Sequence, residues 1–556
     1  MVRAKQARDG QMRHGGQILS DQLVKLGVRR VFSVPGESFL AALDGLYDSG
    51  IQNVVCRQEG GAAMMAEAHA KLTGQPGVCF VTRGPGATNA SAGVHVAMQD
   101  STPLVVFVGQ IDSGHVDRET FQEVDYKQMF GGLAKWVAQV NDTARLPEYI
   151  ARAFRVALSG RPGPVVLALP ENMLSAQADV PDFTGVWRTP AAPAAYVWDH
   201  LLLRLSEARA PLMVVGGPHW STQGAAALGA FATAAQIPVA TAFRRQDYMD
   251  NRHACFAGDL NVGVNPRLAQ RVRDADCLLL IGTRFGDIET QGYTLVDPAD
   301  PQKVILHVHA DADEIGRVFG PDLGIVCPGD VAVLALQDAL SRQGVWSGWA
   351  DATAAARADY DHWQTPVESP GAVKQEEVIR WLSDTLPADA IVTNGAGNYA
   401  AWLHRYFTWK QYGTQLAPTS GSMGYGFPAA VSAALEHPDR TVVCLAGDGC
   451  FQMTCNELST AVQHGAAPIV IVMNNGRYGT IRMHQERSYP GRVSGTVLAN
   501  PDFAALARVY GGFGAVVTEQ AQFADAFAKA QAAGTVAVIE VRLDPRVLSP
   551  GASLPE

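Results

Sequence analysis

Short apolar runs rich in β-branched residues alternate with longer stretches of helical periodicity along the whole chain. This alternation is typical of parallel β-sheets whose two faces are covered by helices. Twelve of the runs are predicted to be strands, which is more than one sheet holds comfortably, so three α/β domains are expected. The predicted strands are residues 31–34, 77–82, 104–109, 165–169, 211–216, 237–240, 277–281, 304–308, 391–394, 441–446, 469–473 and 537–541.

Two stretches without periodicity interrupt the alternation and are predicted to be linkers. Residues 175–195 contain Asp, Pro, Thr and Ala, and residues 343–371 combine Trp, Gly, Pro and Ala around a helical patch at 353–362. The fold class is therefore expected to be α/β, with three doubly wound parallel-sheet domains. Their predicted bounds are 1–185, 195–345 and 365–556.

Composition and charge argue against several classes of protein. With 47% hydrophobic and 18% charged residues among 556, the chain is neither disordered nor fibrous. The net charge of −10 argues against a nucleic-acid-binding protein, which would carry a basic surface. No run approaches the length of about eighteen apolar residues that a membrane span needs, so no transmembrane segment is predicted.

Two further features bear on location. The basic N-terminal cluster lacks the apolar run of a signal peptide and is predicted to be a solvated tail. The eight cysteines lie mostly inside apolar segments, as Cys79 and Cys444 do, which favours buried thiols in a reducing cytoplasm over a disulfide framework. The basic cluster consists of Arg3, Lys5, Arg8 and Arg13.

The strongest chemical signal lies in the last third of the chain. One predicted strand is followed by Gly447-Asp448-Gly449, and the next strand is followed by Asn475, 27 positions after Asp448. Ligands bind at the carboxyl ends of neighbouring strands in an open α/β sheet, so these side chains are expected to meet there. A carboxylate and an amide oxygen suit Mg²⁺ that bridges a diphosphate, and glycines let main-chain amides approach the phosphates.

This arrangement of strand, Gly-Asp-Gly, helix, strand and Asn-Asn resembles the signature of thiamine-diphosphate enzymes. Residues 34–37, 57–66 and 82–89 are similar to matching segments of the acetohydroxyacid (acetolactate) synthases. The resemblance runs from about residue 15 to residue 545. It implies an aminopyrimidine-binding, a central and a diphosphate-binding domain, in that order, with thiamine diphosphate and Mg²⁺ as cofactors.

Glu59 matches the family's glutamate that hydrogen-bonds ring nitrogen N1′ of the cofactor. In the family this bond drives the imino tautomer, which removes the proton from the thiazolium carbon. The chemistry needs a carboxyl group, because a buried carboxyl with a raised pKa can exchange such a proton near neutral pH. The resemblance places four residues of the first domain at the cofactor: Pro35, Gly36, Glu59 and Asn89.

The resemblance also assigns the diphosphate-binding domain. Met423 matches the methionine that props the cofactor into its bent shape, and Gly421 matches the carbonyl partner of the exocyclic amine. The metal ligands it implies are Asp448, Asn475 and the main-chain oxygen of Arg477. The cofactor-binding residues it implies here are Gly397, Asn398, Tyr399, Gly421, Met423, Gly447, Asp448, Gly449, Cys450, Asn475, Tyr478 and Gly479.

On the substrate side, Gln122 and Lys135 match synthase residues that lie near the reacting carbon. His484 occupies the position of a specificity tryptophan in the branched-chain synthases. The predicted catalytic set is therefore Glu59, Gln122, Lys135 and His484. The family's Met-His-Gly flavin-binding stretch is not evident in residues 254–263, which argues against FAD without removing it as an alternative.

The expected reaction is decarboxylation of a 2-oxo acid, followed by carboligation of the resulting enamine to a second carbonyl compound. One alternative is a thiamine-diphosphate lyase acting on 2-hydroxy ketones or 2-hydroxyacyl thioesters. A simple 2-oxo-acid decarboxylase is less favoured, because only His115 stands where such enzymes carry consecutive histidines. A catalytically inactive nucleotide-binding regulatory protein is the non-enzyme alternative. The resemblance further implies a homodimer or homotetramer, and the cysteine usage predicts a cytoplasmic location.

Overall fold

A computed structural model describes residues 12–183, 192–344 and 346–554. Three six-stranded sheets follow one another along the chain, and every strand pairing within them is parallel. In these sheets α-helices separate most successive strands, as the alternation of the sequence predicts, although the described residues include none between strands 239–241 and 256–259, 277–281 and 304–309, or 304–309 and 323–326. By packing, the first sheet forms one compact unit with Val431–Glu436 and Thr454–Ala466, and the second and third sheets belong to another.

The first sheet has the strand order β3-β2-β4-β5-β7-β6, and a short antiparallel pair, β1-β8, lies apart from it. Helices α1, α2 and α6 bury apolar side chains against one face, where Phe80 and Phe107 stack. The strands are β1 Arg13–His14, β2 Arg30–Ser33, β3 Gln52–Val55, β4 Gly77–Val81, β5 Leu104–Gln110, β6 Trp136–Gln139, β7 Pro164–Pro170 and β8 Gln177–Ala178. The helices are α1 Gly15–Lys25, α2 Leu40–Tyr47, α3 Glu59–Thr73, α4 Pro85–Asp100, α5 Tyr126–Phe130, α6 Leu146–Leu158 and α7 Glu171–Ser175.

The prediction of a solvated N-terminal tail is wrong at Arg13, which is buried. Its side chain is 3% exposed and forms ion pairs with Asp21 and Asp182, at 2.8 and 3.0 Å. Arg13 also begins β1, whose partner β8 lies inside the stretch 175–195 that was predicted to be a linker. Local composition did not show this pairing, because the partner is more than 160 residues away. The other basic residues of the cluster, Arg3, Lys5 and Arg8, lie outside the described residues.

The second sheet has the order β11-β10-β9-β12-β13-β14. Helix α12 coincides with the helical patch predicted at 353–362. The strands are β9 Pro211–Val215, β10 Val239–Thr241, β11 Phe256–Asp259, β12 Cys277–Ile281, β13 Val304–His309 and β14 Leu323–Val326. The helices are α8 Ala195–Ser206, α9 Thr222–Ala235, α10 Pro266–Asp274, α11 Gly329–Gln343 and α12 Ala350–Trp363.

The third sheet has the order β16-β15-β17-β18-β20-β19, and the antiparallel pair β21-β22 follows it. The strands are β15 Ile391–Asn394, β16 Gln415–Leu416, β17 Val442–Gly447, β18 Ile469–Asn474, β19 Phe513–Val517, β20 Ala537–Arg542, β21 Val547–Ser549 and β22 Ala552–Ser553. The helices are α13 Gln375–Thr385, α14 Tyr399–Tyr406, α15 Gly426–Glu436, α16 Asp448–Gln452, α17 Leu458–His464, α18 Gly479–Ser488, α19 Phe503–Val509 and α20 Phe523–Ala532.

All twelve predicted strands are confirmed, and they are the four inner strands of each sheet. Within the three six-stranded sheets, the six strands that the sequence did not reveal are the two edges of each sheet: β3, β6, β11, β14, β16 and β19. The short antiparallel pairs β1-β8 and β21-β22 were not predicted either. The inner strands are mostly buried and largely apolar, which makes them recognisable in the sequence. Several edge strands are partly exposed: β3 and β6 carry polar residues, and β14 and β19 are interrupted by a glycine.

The structure also bears on the predictions about membrane spans and about the cysteines. Among the residues that the structure describes, no helix has the length and apolar character needed to cross a membrane. The eight cysteines are free thiols, and all but Cys455 are buried.

Candidate functional site

Asp448 and Asn475 lie at the carboxyl edge of the third sheet, as the sequence predicts. Asp448 follows β17 directly and Asn475 follows β18, and these two strands pair in parallel with Gly447 opposite Met473. The fold therefore brings both side chains to one edge, although 27 positions separate them.

The Asp448 carboxylate is 3% exposed and is held by surrounding N–H groups. Oδ1 accepts from the main-chain N–H of Gly449 at 2.8 Å, and Oδ2 accepts from Gly476 N–H at 2.9 Å and Asn500 Nδ2 at 2.7 Å. Burial raises the pKa of Asp448, and these hydrogen bonds oppose that rise. Asn475 Oδ1 accepts from the main-chain N–H of Arg477 at 3.2 Å.

A cavity of about 250 Å³ opens beside these two residues. Every cofactor or metal residue predicted in the last third of the chain lines it. They are Gly397, Asn398, Tyr399, Gly421, Met423, Gly447, Asp448, Gly449, Cys450, Asn475, Arg477, Tyr478 and Gly479.

Two glycines of the cavity wall leave room for the aromatic rings of Tyr399 and Tyr478, which pack against them beside Asp448. A Cβ at Gly449 would lie 2.5 Å from the Tyr478 ring, and a Cβ at Gly447 would lie 2.8 Å from the Tyr399 ring. Gly421 has φ of 67°, in the left-handed region that favours glycine. The Cys450 thiol accepts hydrogen bonds from Tyr399 Oη at 3.4 Å and from the main-chain N–H of Gly424 at 3.1 Å.

Part of the wall comes from residues that no sequence motif marked. Thr480 Oγ1 donates to Asn398 Oδ1 at 2.9 Å, and Asn398 Nδ2 donates to the Leu548 carbonyl at 2.6 Å. The C-terminal segment thereby closes one side of the cavity. The wall residues that the sequence analysis missed are Gln375, Ala396, Trp402, Met473, Thr480, Ile481, Leu543, Asp544, Val547 and Leu548. Their local signals are few: Met473 ends the predicted strand 469–473, and Thr480 and Ile481 lie in the helix that follows the Asn-Asn pair.

The chemistry of the donor set fits a magnesium diphosphate. A buried carboxylate, a neighbouring amide oxygen and main-chain oxygens are the hard ligands that Mg²⁺ prefers. Helix α18 begins at Gly479 on the cavity wall, so its N-terminal amides favour an anion there. The apolar part of the wall, with Met423 packed against the domain core, suits the ring portion of a cofactor.

Glu59 begins helix α3 at the carboxyl edge of the first sheet, and its side chain is 9% exposed. Asn89 Nδ2 donates to Glu59 Oε2 at 2.9 Å, so two residues of the predicted first-domain group are in direct contact. Glu59 Oε1 lies 3.3 Å from the point where a Cβ of Gly86 would be. The backbone of Gly36 also packs closely here, since a Cβ at this position would lie only 2.4 Å from Thr82 Cβ. Pro35 precedes Gly36 in the loop after β2.

The other predicted catalytic residues are less closely grouped. Gln122 has φ of 65° and lies beside Gly84, because a Cβ at Gly84 would be 2.8 Å from Gln122 Cβ. Gln122 therefore borders the loop that faces Glu59. Lys135 Nζ donates to the carbonyls of Val156 and Ser159, at 2.7 and 2.5 Å, where helix α6 ends. These contacts give Lys135 a helix-capping role. His484 is exposed on α18.

The central domain offers little room for a flavin at the stretch 254–263. The cavity there measures about 10 Å³ and is narrowed by Tyr360 and Trp363 of α12. This volume holds about one water molecule. Asp259 also lines this cavity, and burial raises the pKa of its carboxyl group to about 7. The residues at this place do not fit a flavin ring.

Comparison with protein families gives three consecutive matches along the chain. Residues 13–129 match the family "Thiamine pyrophosphate enzyme, N-terminal TPP binding domain". Residues 198–336 match "Thiamine pyrophosphate enzyme, central domain", and residues 395–541 match "Thiamine pyrophosphate enzyme, C-terminal TPP binding domain".

Curated relatives are similar over almost the whole chain. The acetolactate synthase isozyme 2 large subunit of Escherichia coli K12 is 32% identical over 518 residues, which cover 92% of this chain and 92% of that protein. The acetolactate synthase large subunit of Parasynechococcus marenigrum is 32% identical, covering 95% of this chain and 87% of that protein. The corresponding subunit of Corynebacterium glutamicum is 31% identical, covering 93% and 84%.

Proposed function

Because the chain belongs to the thiamine pyrophosphate enzymes, we propose that it decarboxylates a 2-oxo acid and ligates the remaining carbon unit to a second carbonyl compound. This is an acetolactate synthase-like carboligation. The observation that carries the proposal is the cavity at the third sheet, which gathers the whole predicted diphosphate and metal set around Asp448.

The chain's own residues would hold the cofactor in this way. Asp448, Asn475 and the main-chain oxygen of Arg477 hold Mg²⁺, and the amides at the cavity wall receive the diphosphate. Met423 supports the ring portion, and Gly421 supplies a main-chain oxygen. When bound, thiamine diphosphate supplies the electron sink that makes loss of CO₂ from a 2-oxo acid feasible.

Glu59 is proposed to handle the proton that this chemistry needs. Its Oε2 is occupied by the Asn89 amide, which fixes the carboxyl plane and leaves Oε1 to hold or release a proton. Gln122, which lies beside Gly84, is proposed to orient substrate, and its position next to the Gly84 loop supports that role. Lys135 and His484 stay predictions, and the contacts of Lys135 with the end of α6 favour a supporting role for it.

Several finer properties belong to the same proposal. Mg²⁺ is proposed from the ligand chemistry of Asp448 and Asn475, and FAD is not part of the proposal, because the cavity at 254–263 is too small. A homodimer or homotetramer, a cytoplasmic location and the domain bounds 1–185, 195–345 and 365–556 remain predictions. The buried free thiols support the location in a reducing compartment.

The test is a screen of 2-oxo acids with and without aldehyde or ketone acceptors, in which CO₂ release and ketol formation are followed separately. Carboligation predicts ketol formation that depends on both substrates. Release of CO₂ with free aldehyde as the product would favour the simple decarboxylase, and cleavage of a 2-hydroxy ketone or 2-hydroxyacyl thioester would favour the lyase. Purified protein that retains neither thiamine diphosphate nor Mg²⁺ would support the inactive regulatory alternative.

A further inference from the structure

Asn500 contacts the proposed metal site from outside the cavity. It lies two positions before Asp502, the residue that caps α19, and belongs to none of the motifs that the sequence displays. Its side-chain amide is fully engaged. Nδ2 donates to Asp448 Oδ2 at 2.7 Å and to Asn474 Oδ1 at 2.8 Å, and Oδ1 accepts from Gln452 Nε2 at 2.7 Å.

This amide is the start of a polar chain that leads into the sheet. Asn474 Nδ2 donates to Glu540 Oε1 at 2.9 Å, and Glu540, on β20, is 2% exposed. Glu540 Oε2 in turn accepts from the main-chain N–H of Phe503 at 3.3 Å. Three partners therefore set the orientation of Asn500: its bonds to Asp448 and Asn474 are part-buried, and its bond from Gln452 is exposed. Connected hydrogen bonds of this kind favour a single arrangement.

We infer that Asn500 is a positioning residue for Asp448 and tunes the proposed site for Mg²⁺; this inference rests on the proposed function. The hydrogen bond from Asn500 occupies one lone pair of Asp448 Oδ2 and restrains the rotation of the carboxylate. Partners that orient a ligand without touching the metal commonly change metal affinity by about 10- to 100-fold.

Orientation of the carboxylate has different consequences for different cations. Mg²⁺ requires near-ideal octahedral geometry, whereas Ca²⁺ accepts irregular ligand positions and bidentate carboxylates. A carboxylate held only by the main-chain N–H groups of Gly449 and Gly476 is less restrained, so it should lose Mg²⁺ affinity and retain most of its Ca²⁺ affinity. General damage to the fold would weaken both ions together, so the comparison of the two ions separates positioning from damage.

The experiment uses full-length protein stripped of divalent ions and cofactor. Thiamine diphosphate binding is followed by tryptophan fluorescence, since Trp402 lines the cavity, while Mg²⁺ or Ca²⁺ is titrated. For Asn500→Ala we expect the Mg²⁺ concentration at half-saturation to rise about tenfold or more. The Ca²⁺ value should rise less than about threefold. Asn141→Ala, which changes an exposed asparagine of the first domain, is the matched control and should leave both values at the wild-type level.

A second variant keeps the inference testable if Asn500→Ala does not fold. Gln452→Ala removes the bond to Asn500 Oδ1 and leaves Asn500 itself unchanged, and it should weaken Mg²⁺ dependence in the same direction by about threefold. An unchanged Mg²⁺ value in the folded variants, or equal weakening for both ions, would overturn the positioning role and leave the proposed function standing. Wild-type protein that shows no divalent-dependent cofactor binding would overturn both.

Discussion

Both carboxylate oxygens of Glu457 lie 3.2 Å from the main-chain nitrogen of Arg57 and accept its hydrogen, although 400 positions separate the two residues. Glu457 is fully buried, burial raises its pKa, and Thr460 donates to Oε2 at 2.5 Å. Gly61 makes room for this contact, because a Cβ there would lie 2.7 Å from Glu457 Oε1. Glu457 thus anchors the loop that leads into Glu59.

This anchoring predicts a kinetic effect. Glu457→Ala should lower turnover roughly ten- to hundredfold while cofactor affinity changes little, because a misplaced Glu59 slows proton transfer without removing a cofactor contact. Glu457→Gln keeps one acceptor oxygen and should recover much of the loss. Ser459→Ala removes only a contact to the Arg57 side chain and serves as the control. Wild-type turnover in Glu457→Ala would contradict the prediction, as would a loss confined to cofactor affinity.

A second prediction concerns Glu59 itself. Glu59→Gln preserves the shape and the Asn89 contact but cannot exchange a proton, so turnover should fall at least about a hundredfold while cofactor binding stays near the wild-type level. Steady-state rates together with a cofactor titration check this. The exposed Glu148→Gln is the matched control. Activity of Glu59→Gln within a few-fold of wild type would place this protein among enzymes that work without the carboxylate.

The metal site yields a third prediction. Asp448→Ala should abolish Mg²⁺-dependent retention of thiamine diphosphate, because it removes the only proposed ligand that carries a full negative charge. Cofactor content after gel filtration, with and without EDTA, measures this effect. Asp525→Ala, which breaks an exposed i,i+4 ion pair, should retain cofactor like wild type. A full complement of cofactor in purified Asp448→Ala would show that the diphosphate site lies elsewhere.

Acid stability provides a prediction that is independent of the cofactor. The His69 imidazole, with Nδ1 3.4 Å from Glu436 Oε2, and the Arg30 guanidinium hold the pKa of Glu436 at about 2. Because this pKa lies below its ordinary value of 4.5, the pairing stabilises the fold fully above about pH 4.5 and progressively less as the pH falls towards 2.

Glu436→Gln should therefore unfold more easily than wild type at neutral pH, by about 2 kcal/mol. The difference between the two proteins should shrink as the pH falls from about 4.5 towards 2. Urea unfolding at several pH values measures it, and Glu148→Gln is the exposed-carboxylate control. A difference that stays constant across this pH range would contradict the ionic origin of the effect.

The last prediction concerns assembly. If one subunit supplies Glu59 and another supplies Asp448 to each cofactor, inactive Glu59→Gln and Asp448→Ala chains should complement each other. After dissociation and reassembly of an equimolar mixture, half of the dimers carry both variants and each has one intact site, so about a quarter of wild-type activity should return. Absence of recovery despite verified chain exchange would rule out a shared site, and so would full activity in a monomer.

The inner strands of the three large sheets could be predicted from the sequence, whereas their edge strands could not. Inner strands such as β5 and β17 are buried on both faces, so each is an uninterrupted apolar run that can be read without any partner. Edge strands such as β3 and β6 are only partly covered and mix polar with apolar residues, so they lack the apolar run that marks an inner strand. Their identity as strands depends on the neighbour that supplies their hydrogen bonds.

The sequence by itself determined the α/β class and the polar residues that meet at the third sheet, because strand ends and adjacent glycines form local patterns that the parallel topology brings to one edge. Only the tertiary structure decided that Asn500 contacts Asp448, that Glu457 anchors Arg57, and that Lys135 caps a helix. These contacts join residues 21 to 400 positions apart. No local pattern records such pairs, since each depends on how separate elements pack together.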